Sequence, residues 1–164
     1  MSATGLPSIG VTACAEKLCA LPDLGAAEGL GGRIATQLRD GDLVALFGDL
    51  GVGKTTLSRG ILRGLGHEGP VPSPTFTLVQ HYVTDGVLVA HFDLYRLASR
   101  EEIFELGLDE ALHEGAVLIE WPEILGNTLP NERLEVHLAD AGDGRMARLV
   151  GRGHWFDRLG ALAV

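Results

Sequence analysis

The chain has 164 residues, enough for one domain with a hydrophobic core of its own. Hydrophobic residues make up 46% and charged residues 21%, the balance of a soluble globular protein, and no apolar stretch approaches a membrane span. The formal net charge of −9 makes the chain a poor binder of tRNA or DNA by itself, because phosphate neutralisation supplies most non-specific affinity.

Residues 1–21 read as a weakly patterned N-terminal extension, and 22–164 as one α/β domain. The first twenty residues lack a basic segment followed by an unbroken apolar one, so no signal peptide is expected. Cys14 and Cys19 suggest neither a disulfide framework nor a zinc site, which points to the reducing cytoplasm. Asp23 can cap a helix running to about Leu38, with Leu24, Ala27, Ile34 and Leu38 near one face. Gly29, Gly31 and Gly32 weaken that helix.

Leu43–Phe47 is a continuous apolar run of strand length, as in strands buried on both faces of a parallel sheet. Directly after it comes Gly48-Asp49-Leu50-Gly51-Val52-Gly53-Lys54-Thr55, a complete G-x-x-x-x-G-K-[ST] phosphate-binding signature. Its glycines let successive backbone N–H groups turn inward around phosphate oxygens. Lys54 would reach the β and γ phosphates, and the Thr55 hydroxyl would ligate Mg²⁺. Leu57, Ile61, Leu62 and Leu65 then fall at helical spacing, with Gly64 and Gly66 to end the helix. Strand, loop and helix thus aim a helix N-terminus at the bound anion. Lys54 is the sole lysine beyond the N-terminal stretch.

Residues 69–74 are a loop, Phe76–Val83 a strand, Asp85-Gly86 a hairpin turn and Val87–Phe92 the return strand. Ser99 with Glu102 forms a capping box opening a helix through Ile103 and Leu106. Asp109–His113 is a second helical piece and Ala116–Ile119 a buried strand. Arg133–Leu138 and Arg145–Val150 pair across a Gly/Asp-rich turn, and the tail carries a short helix near Trp155, Phe156 and Leu159.

Asp93 and Glu120 each end a strand, where open α/β sheets bind ligands. Glu120 follows the cleaner apolar run and is the candidate for the metal. Asp93 is the candidate for water activation or for an indirect metal contact. Thr75, twenty residues after Thr55, could sense the γ phosphate as switch loops do, although Ser and Pro around it also serve ordinary turns. His91 stands close enough to Asp93 to touch the site; the other histidines show no metal-ligand spacing. Guanine reading through an Asn-Lys-x-Asp loop is impossible with lysine only at 17 and 54, so adenine is favoured. The residues leave three readings open: an ATPase, a small-molecule kinase with Arg96 and Arg100 as a thin lid, or a nucleotide-dependent adaptor.

Four blocks in order, Gly48–Thr56, Ser73–Val79, His91–Leu97 and Ile119–Glu123, resemble the TsaE (YjeE) family, bacterial ATPases required for threonylcarbamoyladenosine modification of tRNA. The resemblance covers roughly 22–150. It implies a P-loop NTPase-like fold, with a mainly parallel central sheet flanked by helices and a small antiparallel portion. It implies ATP and Mg²⁺ as cofactors, slow hydrolysis alone, and TsaB and TsaD as partners that perform the threonylcarbamoyl transfer to adenosine 37. By motif, Thr55 and Glu120 would ligate Mg²⁺, Thr56 would be a sensitive loop residue, and Asp93 would be needed for hydrolysis. Gly48, Asp49, Gly51, Val52, Gly53 and Lys54 would surround the nucleotide, with Thr75, Trp121 and Arg145 near it and Leu24 close to the adenine. The chain departs from the family in its longer N-terminal stretch and Gly-rich first helix.

Overall fold

The computed structural model describes residues 14–164. One mixed seven-stranded sheet runs through it in the order β1-β7-β6-β2-β5-β4-β3. The strands are β1 Cys14–Leu21, β2 Leu43–Phe47, β3 Val79–Val83, β4 Leu88–Asp93, β5 Ala116–Glu120, β6 Arg133–Ala141 and β7 Gly144–Arg152. Helices α1 Leu24–Ala35, α2 Lys54–Gly64 and α5 Trp155–Ala161 pack on one face. Helices α3 Glu101–Glu105 and α4 Leu108–Glu114, with a 3-10 helix at Pro122–Thr128, pack on the other. β2 and β5 are apolar throughout except at Glu120 because both of their faces are covered.

The sheet is less parallel than the sequence suggests. β6, β2, β5 and β4 form a parallel centre, but β1–β7, β7–β6 and β3–β4 are antiparallel, so the two kinds of pairing are equal in number. The N-terminal boundary also moves. Residues 14–21 are not an extension but an edge strand paired along its length with β7. The remainder of that expected extension lies outside the described residues.

Smaller corrections follow local chemistry. Residues 76–78 are a turn rather than strand, with Leu78 at φ 67°. α3 begins after Arg100 with no side-chain cap, so the Ser99 capping box does not form. α1 stops at Ala35, three residues early, while Asp23 caps it as expected by accepting the Ala26 N–H at 2.8 Å. Its glycines serve packing. An ideal Cβ on Gly31 would lie 2.6 Å from the Ile61 backbone N, and one on Gly60 2.5 Å from the Glu28 carbonyl. The α1 and α2 backbones therefore touch where no side chain fits, and this contact seats α2 on the sheet.

Candidate functional site

The C-terminal ends of β2, β5 and β4 lie along one edge of the sheet because the three strands are parallel neighbours. The glycine-rich loop leaves β2 at this edge and enters α2. Gly48, Gly51 and Gly53 hold φ of 144°, 79° and 112°, a region L side chains rarely adopt. A Cβ at Gly48 would also lie 2.7 Å from the Leu138 carbonyl oxygen. Gly53 caps α2 without a side chain, so the first N–H groups of the helix have no capping side chain and the helix dipole favours an anion there.

Lys54 is the first residue of α2 and is buried. Its Nζ donates to the Gly48 carbonyl and, at 3.1 Å, to the Asp49 carbonyl, and sits 3.9 Å from the centre of the Trp121 ring. Burial pushes the Lys54 ammonium below its usual range, against the pull of Glu120, Glu123, Asp93 and Asp49. The Thr55 hydroxyl donates to Glu120 Oε1 at 3.0 Å. Glu120 Oε2 lies 2.7 Å from His91 Nε2.

Asp93 is the register partner of Glu120 on the next strand. Its Oδ2 accepts from Thr75 Oγ1 at 3.0 Å and Ser73 Oγ at 3.4 Å, and its Oδ1 from the Tyr95 N–H at 3.0 Å. Backbone strain collects here. The two non-glycine residues with positive φ among those described are Trp121, directly after Glu120, and Leu78, whose carbonyl accepts the Asp93 N–H at 3.0 Å.

A cavity of about 430 Å³ is lined by Gly51, Gly53, Lys54, Thr55, Thr56, Thr75, Asp93, Glu120 and Trp121. A second hollow of about 270 Å³ shares Gly51, Gly53 and Thr56 with it and adds Leu24, Val52, Leu138 and Arg145. Arg145 donates from Nε to the Val52 carbonyl at 3.3 Å and pairs with Asp140 at 2.9 Å, so it braces the loop. The sequence-derived residues thus come together in two adjoining hollows except Gly48 and Asp49, which line neither; their carbonyls hold Lys54, and the Asp49 side chain is exposed. Arg96 reaches the cavity and stacks on Phe76, whereas Arg100 turns to Asn127, so an arginine lid is not formed. Sequence reasoning missed Ser73 and Tyr95 as partners of Asp93; their position beside it in the loops was the available signal.

No cluster of three or more His, Cys, Asp or Glu suited to a metal exists among the described residues. A dedicated protein cage is therefore absent there, but Thr55 and Glu120 place two hard oxygen donors together beside the anion cradle. That set fits Mg²⁺, which keeps several waters and is bound by one or two protein oxygens plus substrate phosphates.

Fold and site together define a mixed α/β protein with a glycine-rich anion cradle facing two strand-end carboxylates. The chain belongs to the TsaE family: the model described as "Threonylcarbamoyl adenosine biosynthesis protein TsaE" matches residues 21–148. It is 45% identical over 109 residues to the tRNA threonylcarbamoyladenosine biosynthesis protein TsaE of Haemophilus influenzae, a stretch covering 66% of this chain and 69% of that protein. It is 46% identical over 106 residues to the Rickettsia felis protein of the same name, covering 64% of this chain and 62% of that one. The crystal structure of Bacillus subtilis YdiB superposes with a TM-score of 0.77 at 31% identity, covering 91% of this chain and 94% of that chain. No helix among the described residues is long and apolar enough to cross a membrane.

Proposed function

We propose that this protein is a P-loop ATPase that binds ATP with Mg²⁺ and serves threonylcarbamoyladenosine modification of tRNA in the cytoplasm. It acts with TsaB and TsaD and does not itself transfer the threonylcarbamoyl group. The observation that carries this reading is the Thr55–Glu120 contact at 3.0 Å beside the Gly48–Gly53 cradle. A hydroxyl and a carboxylate in contact beside the loop support a role for the pair in holding a phosphate-bound Mg²⁺. Family membership supplies the biological role, and the names of the relatives supply the tRNA.

In this reading the loop amides and the α2 N-terminus bind the phosphates. Lys54, held by the Gly48 and Asp49 carbonyls, would supply its ammonium to the β and γ oxygens, with Trp121 packed over it. Leu24, Val52 and Leu138 in the second hollow would hold the adenine, with Arg145 at its rim. When bound, Mg²⁺ neutralises charge on the transferring phosphoryl group. Thr55 and Glu120 hold that ion, Thr56 lines the phosphate cavity, and Asp93 orients the attacking water through Oδ2. The protein's contribution is positioning and electrostatics rather than covalent chemistry.

Asp93 spends its oxygens on Thr75, Ser73 and the Tyr95 N–H. Oδ2 already accepts two hydrogen bonds, so this oxygen takes a water only after the Ser73–Thr75 loop lets go, which supports slow turnover alone and a switch role for Thr75. The same observation favours one second reading, an adaptor whose ATP binding rather than turnover recruits its partners.

The test is ATP hydrolysis by the purified chain with and without TsaB and TsaD. Stimulated release of phosphate into water is expected. Absence of both stimulation and complex formation refutes the assignment. Transfer to an added small acceptor in excess of transfer to water would favour a kinase instead.

A further inference from the structure

We propose that His91 is a positioning residue that fixes the rotamer of Glu120, leaving one carboxylate oxygen for Thr55 and the cation. The proposal rests on the Mg²⁺–nucleotide reading above.

His91 is fully buried on β4. Its register partner is Leu118, and that of Asp93 is Glu120. His91 and Asp93 share one sheet face because they are two residues apart, as do Leu118 and Glu120. His91 and Glu120 are therefore diagonal neighbours on the face under α2, within reach of long side chains. The 2.7 Å contact between Nε2 and Oε2 is the result. A carboxylate only accepts, so Nε2 carries the proton in this bond.

Packing alone is a poor reason for an imidazole here. Its strand-face neighbours Val89 and Leu118 belong to the apolar core, and His91 Nδ1 has no hydrogen-bond partner. A buried polar atom without a partner carries a desolvation cost that a similar-sized apolar side chain would not. The ring's one hydrogen bond goes to Glu120. Glu120 in turn is the carboxylate that pulls most strongly on Lys54. Freed from His91, it could swing toward that ammonium and away from Thr55. With His91 in place, Oε2 is held by the ring and Oε1 takes the shorter of the two Thr55 contacts, 3.0 Å against 3.4 Å to Oε2.

Partners that orient a metal ligand in this way typically change metal affinity about 10- to 100-fold when removed. The test uses the full chain and compares His91→Gln with His91→Asn. Both bury an amide, but only Gln carries its amide nitrogen out to the Nε2 position; Asn stops near Nδ1. Mg²⁺ is titrated against protein saturated with a non-hydrolysable ATP analogue, read by Trp121 fluorescence. Trp155 in α5 supplies a constant background. Nucleotide affinity in EDTA and the unfolding midpoint are measured beside it.

The expected result is a half-saturating Mg²⁺ concentration raised about 10- to 100-fold in His91→Asn and within about threefold of the unmodified protein in His91→Gln. Nucleotide affinity in EDTA should be unchanged in His91→Gln, where Glu120 stays held. Equal Mg²⁺ midpoints in both variants and the unmodified protein overturn the proposal. So does an equal loss in both that tracks a lowered unfolding midpoint, which would make His91 a packing residue only. If the unmodified protein itself shows no Mg²⁺ response with nucleotide, the nucleotide reading falls and the His91 role falls with it.

Discussion

Adjacent glycines of α1 should respond to the same substitution with opposite signs. A Cβ at Gly31 would lie 2.6 Å from Ile61 N, 2.7 Å from the Gly60 carbonyl carbon and 2.7 Å from Leu57 O, all of them α2 backbone. Comfortable contacts need about 3.5 Å or more, so the helices must part by roughly 1 Å. A Cβ at Gly32 would meet nothing within 4 Å. Overpacking costs about 1–3 kcal/mol, and backbone that cannot rotate aside puts Gly31→Ala near the upper end. Alanine returns about 1 kcal/mol of helix propensity, for a net loss of about 2 kcal/mol. Gly32→Ala keeps the propensity gain alone and should stabilise by about 0.5–1 kcal/mol. In thermal unfolding these become a fall of about 4–8 °C and a rise of about 1–4 °C. Urea midpoints at unchanged m-value provide the independent check. Shifts of the same sign and size would show that α1 and α2 do not touch through Gly31, and the account of how α2 is seated would fail.

Three further outcomes test the site and the sheet. Lys54→Ala should weaken nucleotide binding about 10²- to 10⁴-fold, the equivalent of two charge-assisted contacts, while leaving the unfolding midpoint within a few degrees. Binding that survives unchanged, by calorimetry, removes Lys54 from the phosphates. Asp93→Asn should cut hydrolysis about 10²- to 10⁴-fold with nucleotide affinity within about threefold, and partner association in ATP should persist; a parallel loss of affinity would mean Asp93 only braces the Ser73–Thr75 loop. His137, 3.6 Å from Glu135 Oε1, and Arg152, donating to Oε2 at 2.8 Å, hold the Glu135 carboxyl at about 2, with Arg133 alongside. A carboxyl lowered from 4.5 stabilises fully above that pH and loses its contribution as pH falls toward 2, at most about 3 kcal/mol. The stability gap between the unmodified protein and Glu135→Gln should therefore close between pH 5 and pH 2 in urea titrations; a gap that stays constant would mean the ion cluster contributes nothing.

What the sequence reveals about this molecule depends on how far apart the interacting residues lie. The Gly48–Thr55 loop is readable because its chemistry is local: eight consecutive residues contain both the turn and the anion donors. Asp93 and Glu120 are readable because apolar runs mark the ends of their strands. β1 is not, since at the sheet edge its exposed and half-buried positions alternate while its residue types do not follow them: Leu18 faces out and Lys17 is half-buried. The Gly-rich α1 argues against itself in sequence, because propensity counts Gly31 as a penalty and cannot see α2 against it. The His91–Glu120 bond spans 29 positions and the Thr75–Asp93 bond 18, and both exist only through the registers of β3, β4 and β5. The strained φ of Leu78 and Trp121 has no sequence mark, neither being glycine or asparagine.

The charges around Lys54 decide how the proposed ligand can bind. Glu120, Glu123, Asp93 and Asp49 all act on this one ammonium. A triphosphate entering the cavity adds several negative charges within reach of Asp93 and Glu120, and one buried lysine cannot offset them. Coulomb repulsion at such distances runs to about 4 kcal/mol per pair at 4 Å and an effective dielectric near 20. A divalent cation beside Thr55 and Glu120 reverses the sign of the Glu120 contribution and screens the rest. Metal and nucleotide should therefore bind with positive coupling, each tightening the other by the same factor. That reciprocity follows from the carboxylates rather than from the loop, so Glu120→Gln should weaken the coupling while improving nucleotide binding in EDTA. Calorimetric titration of nucleotide with and without Mg²⁺ measures both changes, and a variant that binds metal-free nucleotide less tightly than the unmodified protein would contradict the electrostatic argument.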